Sequence, residues 1–95
     1  MNRASHTALR SIEATTYAAR FFMEAGDSSS ATKTATDAMA SIDNLITYHY
    51  VRPECLFIIR IQLRTAIATM NEHPRTSLEA LRRACNTLTN LVNTP

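Results

Sequence analysis

The chain contains a single glycine, Gly26, among its 95 residues, and this scarcity restricts both its fold and its chemistry. β-Hairpins and β-bulges place glycine at positive φ, so the sequence disfavours a sheet protein. The phosphate-binding patterns GxGxxG and GxxxxGK each need more than one glycine, so neither occurs here. The sequence therefore predicts an all-α fold and excludes nucleotide binding through glycine-rich loops.

Helix start and stop signals divide the chain into four predicted helices. They span residues 5–25, 29–49, 53–73 and 77–92. Ser5 can cap the first helix, Gly26 can end it, and Asp27 with the serines after it can cap the second. Because 95 residues suffice for one hydrophobic core, these helices are predicted to form a small bundle in a single domain, residues 1–95.

The limits of the last two helices follow from prolines and a capping pattern. Pro53 fits the first turn of the third helix, which is expected to stop before Pro74. Thr76 and Glu79 have the spacing of a capping box, so the fourth helix is predicted to begin there.

The chain has more apolar residues than the buried faces of four helices require, with 45% hydrophobic residues overall. Each predicted helix carries one apolar stripe at 3–4 spacing. The first helix carries Tyr17 and Phe21 outside its stripe, four residues apart and therefore adjacent on the helix surface. The third helix carries a second strip that contains Phe57, Ile58 and Ile61. This surplus predicts an apolar surface that contacts a second copy of the chain or another protein.

Arginine accompanies the surplus on the third helix, where Arg60 and Arg64 border the second strip. Aromatic residues and arginine are enriched at the centres of protein interfaces. The predicted interface therefore comprises Tyr17, Phe21, Phe57, Ile58, Ile61, Arg60 and Arg64. In it the apolar residues supply buried area, and the two arginines orient the partner through its carboxylates.

Histidine and cysteine do not have the spacing of a catalytic or metal site. His6, His49 and His73 are not related by three or four residues, so no metal site and no cofactor is expected. Cys55 and Cys85 both fall on apolar stripes, where buried reduced thiols are expected, although a disulfide between them stays open. A Cys55–His49 pair is the one catalytic arrangement to weigh, and the overall prediction is that the protein is not an enzyme.

Neither a leader nor a membrane span is expected. Arg3 is followed by Ala-Ser-His-Thr-Ala-Leu-Arg, which is not an apolar leader core. The longest strongly apolar stretch, Cys55–Ile59, is far shorter than the roughly 20 residues of a membrane span. These features predict a cytoplasmic protein.

DNA binding is the alternative function. The break at residues 71–77 could be the turn of a helix-turn-helix, with Arg82 and Arg83 presented by the helix after it and Arg75 at its start. Against this, the turn is longer than usual, and the net charge is only +2 with arginines scattered along the chain.

The aromatic first helix, with Tyr17, Phe21 and Phe22, and the apolar stretch Leu56–Ile61 give the chain a resemblance to a known family. It resembles the small all-helical bacterial anti-activators of quorum sensing, the QslA-like proteins that bind the transcription factor LasR. The resemblance implies a homodimer that covers a regulator's dimerisation or DNA-binding surface. Together, the apolar surplus and this resemblance predict a dimeric interaction module that inhibits a partner, such as a transcription factor, by steric blocking.

Overall fold

The structure is a computed structural model that describes residues 3–48 and 53–93, and these residues form four helices. The helices are α1 (Arg3–Glu24), α2 (Ser28–Tyr48), α3 (Pro53–Thr69) and α4 (Pro74–Val92). Among the described residues there is no strand, so the predicted all-α bundle of four helices is confirmed.

Each helix packs against two others, in the cyclic order α1, α2, α3, α4 and back to α1. Within the described ranges, no Cα atom of α1 lies within 8 Å of one in α3, and none of α2 lies within 8 Å of one in α4, so these pairs occupy diagonal corners. The bundle measures 38 × 18 × 18 Å. Because α3 alone is about 25 Å long at 1.5 Å per residue, the helices must run along the long dimension. Short connections then make sequential helices antiparallel.

The junction between α1 and α2 has the predicted glycine and cap. Gly26 has a φ of +80°, a value that glycine adopts without steric strain. The backbone N–H of Asp27 donates to the carbonyl oxygen of Phe22 at 2.8 Å, which satisfies the end of α1. The Oδ1 atom of Asp27 accepts the backbone N–H of Ser30 at 3.0 Å, so Asp27 is the cap of α2.

Three predicted helix starts differ from the structure, that of α2 by one residue, because α2 begins at Ser28. Ser5 is buried inside α1, which begins at Arg3, so Ser5 is not its cap. Helix α4 begins at Pro74, three residues before the predicted start, and His73 occupies the cap position without a side-chain hydrogen bond. Thr76 therefore lies within the first turn of α4 and does not cap it.

The end of α3 also differs, because α3 stops at Thr69 and not at His73. The hydroxyl of buried Ser77 donates to the carbonyl oxygen of Ala66 at 2.6 Å, which joins the first turn of α4 to the last turns of α3. This bond and the fixed φ of Pro74 set the start of α4, so the chain turns within residues 70–73.

The core consists of the predicted apolar stripes. Helix α2 contributes alanines in its first half, and Ala31, Ala35 and Ala38 are almost completely buried. Small side chains at these positions let neighbouring helices approach α2 closely.

Candidate protein-binding surface

The five apolar residues of the predicted interface all lie on the surface of the bundle. Their exposed fractions are 41% for Tyr17, 68% for Phe21, 47% for Phe57, 49% for Ile58 and 64% for Ile61. Scattered exposed apolar residues are common in soluble proteins, whereas large ones grouped on one helix face are typical of interaction sites. The bundle therefore does not bury the apolar surplus on α1 and α3.

Phe57, Ile58 and Ile61 form the first group, which we call the α3 ridge. They are spaced so that Ile61 lies one turn after both Phe57 and Ile58. The opposite face of α3 is completely buried at Leu56, Ile59 and Leu63. Helix α3 is thus apolar on two faces, of which the bundle covers one.

Polar contacts hold both flanks of α3. On one flank, Arg60 Nε lies 2.8 Å from Oδ1 of Asp43 on α2. On the other, the hydroxyl of Thr87 on α4 donates to the carbonyl oxygen of Arg83 at 2.9 Å and also lies 3.3 Å from Oε1 of Gln62. The α3 ridge therefore stands on a helix tied to both of its neighbours.

The two predicted interface arginines have different positions. Arg60, predicted to orient a partner through its carboxylates, is engaged with Asp43 of the same chain. Arg64 is exposed and makes no ion pair with any residue in the described ranges. Of the two, Arg64 is thus the one available to a partner.

Tyr17 and Phe21 form the second group, the α1 aromatic pair. The hydroxyl of Thr89 on α4 donates to Oε2 of Glu13 at 2.8 Å. The Tyr17 hydroxyl lies 3.1 Å from the oxygen of Thr89, to which it donates because the Thr89 proton is already used. This chain of hydrogen bonds fixes the Tyr17 ring against α4.

Neighbouring side chains also orient the α1 aromatic pair. The Arg20 guanidinium carbon lies 5.9 Å from the centroid of the Tyr17 ring, and Arg20 Nε is 2.9 Å from Oε1 of Glu24. The rings of Phe21 and Phe22 meet edge to face with centroids 6.0 Å apart, and Phe22 packs against the core. Phe21 therefore projects outward from an ordered base.

The α3 ridge and the α1 aromatic pair are separate surfaces. Helices α1 and α3 occupy diagonal corners of the bundle, so their outer faces point away from each other. The ridge lies near the start of α3, whereas the aromatic pair lies near the end of α1, which runs in the same direction. A single helix of a partner cannot contact both groups, so the predicted residues form two sites.

A metal site and a small-molecule pocket are the two other kinds of candidate site to weigh in the described residues. The described residues contain no group of three His, Cys, Asp or Glu side chains that could hold a metal ion. Two open depressions in the described part of the chain, one between α1 and α2 and one at an end of the bundle, have volumes of about 220 and 280 Å³. Both lie below the roughly 300–1,000 Å³ of typical ligand pockets. No helix in the described part of the chain has the length and apolar character to cross a membrane.

The two cysteines are free thiols. Cys85 is completely buried on α4, and burial raises the pKa of its thiol from the ordinary 9.0 to about 11, against the opposing effect of the Arg20 charge. Cys55 is half-buried near the start of α3, and its proposed partner His49 lies outside the described residues. Because its pKa is raised, the Cys85 thiol is protonated at neutral pH and is a poor nucleophile.

Burial of Cys85 predicts a loss of stability at alkaline pH. Between pH 9 and about 11 the Cys85 thiol is ionised in the unfolded chain but stays protonated in the fold, where its pKa is about 11. Because ionisation is easier in the unfolded chain, rising pH favours unfolding over this range. Relative to Cys85→Ala, the wild type should lose roughly 2 kcal/mol of unfolding free energy as the pH rises through this window. Urea denaturation of both proteins at several pH values measures the difference, and parallel pH profiles would contradict it.

Comparison with known proteins gives no match to a protein-family model, a curated protein or a solved structure. Fold and surface together define an antiparallel four-helix bundle with two exposed apolar sites.

Proposed function

We propose that this chain is a non-enzymatic interaction module, a homodimeric regulator that binds a partner protein and blocks the partner's own assembly. The observation that supports the proposal is the exposure of large apolar side chains on the outer faces of α1 and α3. Fully burying one such side chain contributes roughly 1.5–3 kcal/mol, so a few of them suffice for specific binding.

The order of the α1 aromatic pair favours binding. A side chain that is already fixed loses less conformational freedom when a partner covers it. Tyr17 is held by Thr89 and by the neighbouring Arg20, so only Phe21 needs to be ordered on contact. Aromatic residues on a rigid base are the side chains that dominate binding energy in many interfaces.

We further propose that the partner is a transcription factor, as the resemblance to bacterial quorum-sensing anti-activators implies. In this mechanism the module occupies an apolar groove that the partner needs for dimerisation or for contact with DNA. Steric blocking needs only a surface that covers the partner's groove, and the exposed apolar side chains of the bundle supply such a surface.

The DNA-binding alternative has less geometric support. The two helices of a helix-turn-helix cross at roughly 90–120°, whereas α3 and α4 run antiparallel along a bundle only 18 Å wide. Binding to random duplex DNA at increasing salt separates the two functions, because phosphate contacts weaken steeply as salt rises. Binding that is flat or absent favours the protein partner.

Phe21→Asp should remove partner binding through the α1 aromatic pair. A carboxylate at this position would have to be buried without a counter-charge, and we expect affinity to fall at least ~30-fold. Capture from an extract of the source organism is compared for immobilised wild type, Phe21→Asp and Ala40→Asp. Ala40 is exposed on α2, so its variant adds the same charge away from both sites.

A protein retained by the wild type and by Ala40→Asp, but not by Phe21→Asp, would be the partner. Its DNA binding or self-association should then decrease when the wild-type module is added. Equal retention by all three proteins would contradict a binding role for Phe21, and retention without inhibition would contradict the proposed blocking mechanism.

A further inference from the structure

The α3 ridge ends in opposite charges. Glu54 lies in the first turn of α3, before the ridge, and Arg64 lies after it. Both side chains are exposed, and neither forms an ion pair with a residue that the structure describes. Ten residues separate the two, which corresponds to about 15 Å along the helix.

These residues are symmetric about one position. Phe57 and Ile61 each lie two residues from Ile59, and Glu54 and Arg64 each lie five residues from it. Consider two antiparallel copies of α3 related by a two-fold axis that passes at the level of Ile59. Measured along the helices, Phe57 of each copy then lies level with Ile61 of the other. The same axis sets each Glu54 at the height of the other copy's Arg64, and the two Ile58 side chains meet beside the axis.

We propose that the α3 ridge is covered by a second copy of this chain, with the two α3 helices antiparallel. The proposal rests on the proposed function and deepens it, because it assigns one apolar site to self-association and leaves the α1 aromatic pair for the other protein. A two-fold contact requires a surface that is complementary to itself, and the ridge with its charged ends meets that requirement.

Charge also selects the direction of the pairing. In a parallel pair, each Glu54 would lie opposite the other Glu54 and each Arg64 opposite the other Arg64. Antiparallel pairing replaces both repulsions with two attractions, which sets the register and direction of the contact. The ridge covers only part of one helix, so the interface is at the small end of the usual range, and a dissociation constant in the micromolar range is expected.

Charge reversal tests the proposal. Glu54→Arg and Arg64→Glu should each weaken the dimer at least ~10-fold, because like charges then meet at both ends of the contact. The double variant Glu54→Arg/Arg64→Glu should return to within ~3-fold of the wild type, because the attractions are restored with the signs exchanged. Sedimentation equilibrium at low salt measures all four proteins, and circular dichroism checks that each stays helical.

Mixing provides a second measurement. Glu54→Arg has a positive charge at both ends of its ridge, and Arg64→Glu has a negative charge at both ends. An equimolar mixture should therefore form a heterodimer that is tighter than either homodimer, because opposite charges meet only in the mixed pair. Ala40→Arg, which adds a charge on the exposed face of α2, should dimerise like the wild type. A monomeric wild type at millimolar concentration, an unrestored double variant or the absence of the heterodimer would overturn the proposal.

Failure here is distinguishable from failure of the proposed function. A wild type that stays monomeric yet retains a partner through Phe21 would overturn the antiparallel dimer and leave the interaction module intact. If the charge-reversed pair dimerises as expected but no protein binds through the α1 aromatic pair, the dimer stands and the partner-binding role fails.

Discussion

Ile61→Asp should convert the dimer to a monomer, with the dissociation constant raised roughly a thousand-fold. Ile61 is the most exposed residue of the α3 ridge, at 64%, so the free chain can carry the carboxylate with little loss of stability. In the dimer, the two-fold axis brings one unpaired carboxylate from each copy into the apolar contact, and each contributes about 2 kcal/mol to the loss.

The matched control for this change is Ala40→Asp, which places the same charge at an exposed position on α2. Light scattering after size exclusion, over a range of concentrations, should show a monomer for Ile61→Asp and a wild-type dimer for Ala40→Asp. The stability of Ile61→Asp should stay close to that of the free wild-type chain. A dimer that persists in Ile61→Asp at micromolar concentration would exclude the ridge as the contact.

Leu63→Ala should destabilise the fold strongly, with a loss of about 3 kcal/mol in the free energy of unfolding. Leu63 is completely buried on the opposite face of the same helix, so the smaller side chain leaves a cavity in the core. Small domains are typically stable by only about 5–15 kcal/mol, so this loss is a large fraction of the total.

Thr65→Ala is the control for Leu63→Ala, because Thr65 is exposed on α3 and its truncation should change stability by less than about 0.5 kcal/mol. Urea denaturation at one fixed protein concentration measures both variants. If the folded Leu63→Ala protein dimerises normally while Ile61→Asp does not, the two faces of α3 have separate roles. A loss below 1 kcal/mol for Leu63→Ala would contradict the assigned core.

Much of the fold could be predicted because its signals are local. Gly26 and Asp27 act within one turn of themselves, and the structure places both as the sequence predicts. The 3–4 spacing of apolar residues likewise identified which face of each helix is buried. The start of α4 was missed because Pro74 was interpreted only as the end of α3, although proline also fits the first turn of a helix. The bond from Ser77 to Ala66, which supports this start, joins two helices, and no local pattern reveals it.

The candidate site could be predicted only in part, for a related reason. Periodicity identifies Tyr17 and Ile61 as lying outside the core stripes, and both are exposed. It does not give the order of the helices around the bundle, so it could not show that α1 and α3 are diagonal. For the same reason the sequence missed the contacts of Asp43 with Arg60 and of Thr89 with Tyr17, each of which joins two helices.

The diagonal placement of α1 and α3 has a consequence for how strongly the module can hold its target. In a dimer joined through α3, each α1 lies on the side away from the contact, so the two aromatic pairs face in opposite directions. Such a dimer is bivalent. A target that is itself two-fold, with grooves at matching spacing, would be held at both ends, and the second contact can raise the overall affinity by roughly a hundred-fold or more without a new residue. If the chain is the proposed inhibitor, micromolar self-association makes the strength of inhibition depend on the concentration of the chain itself.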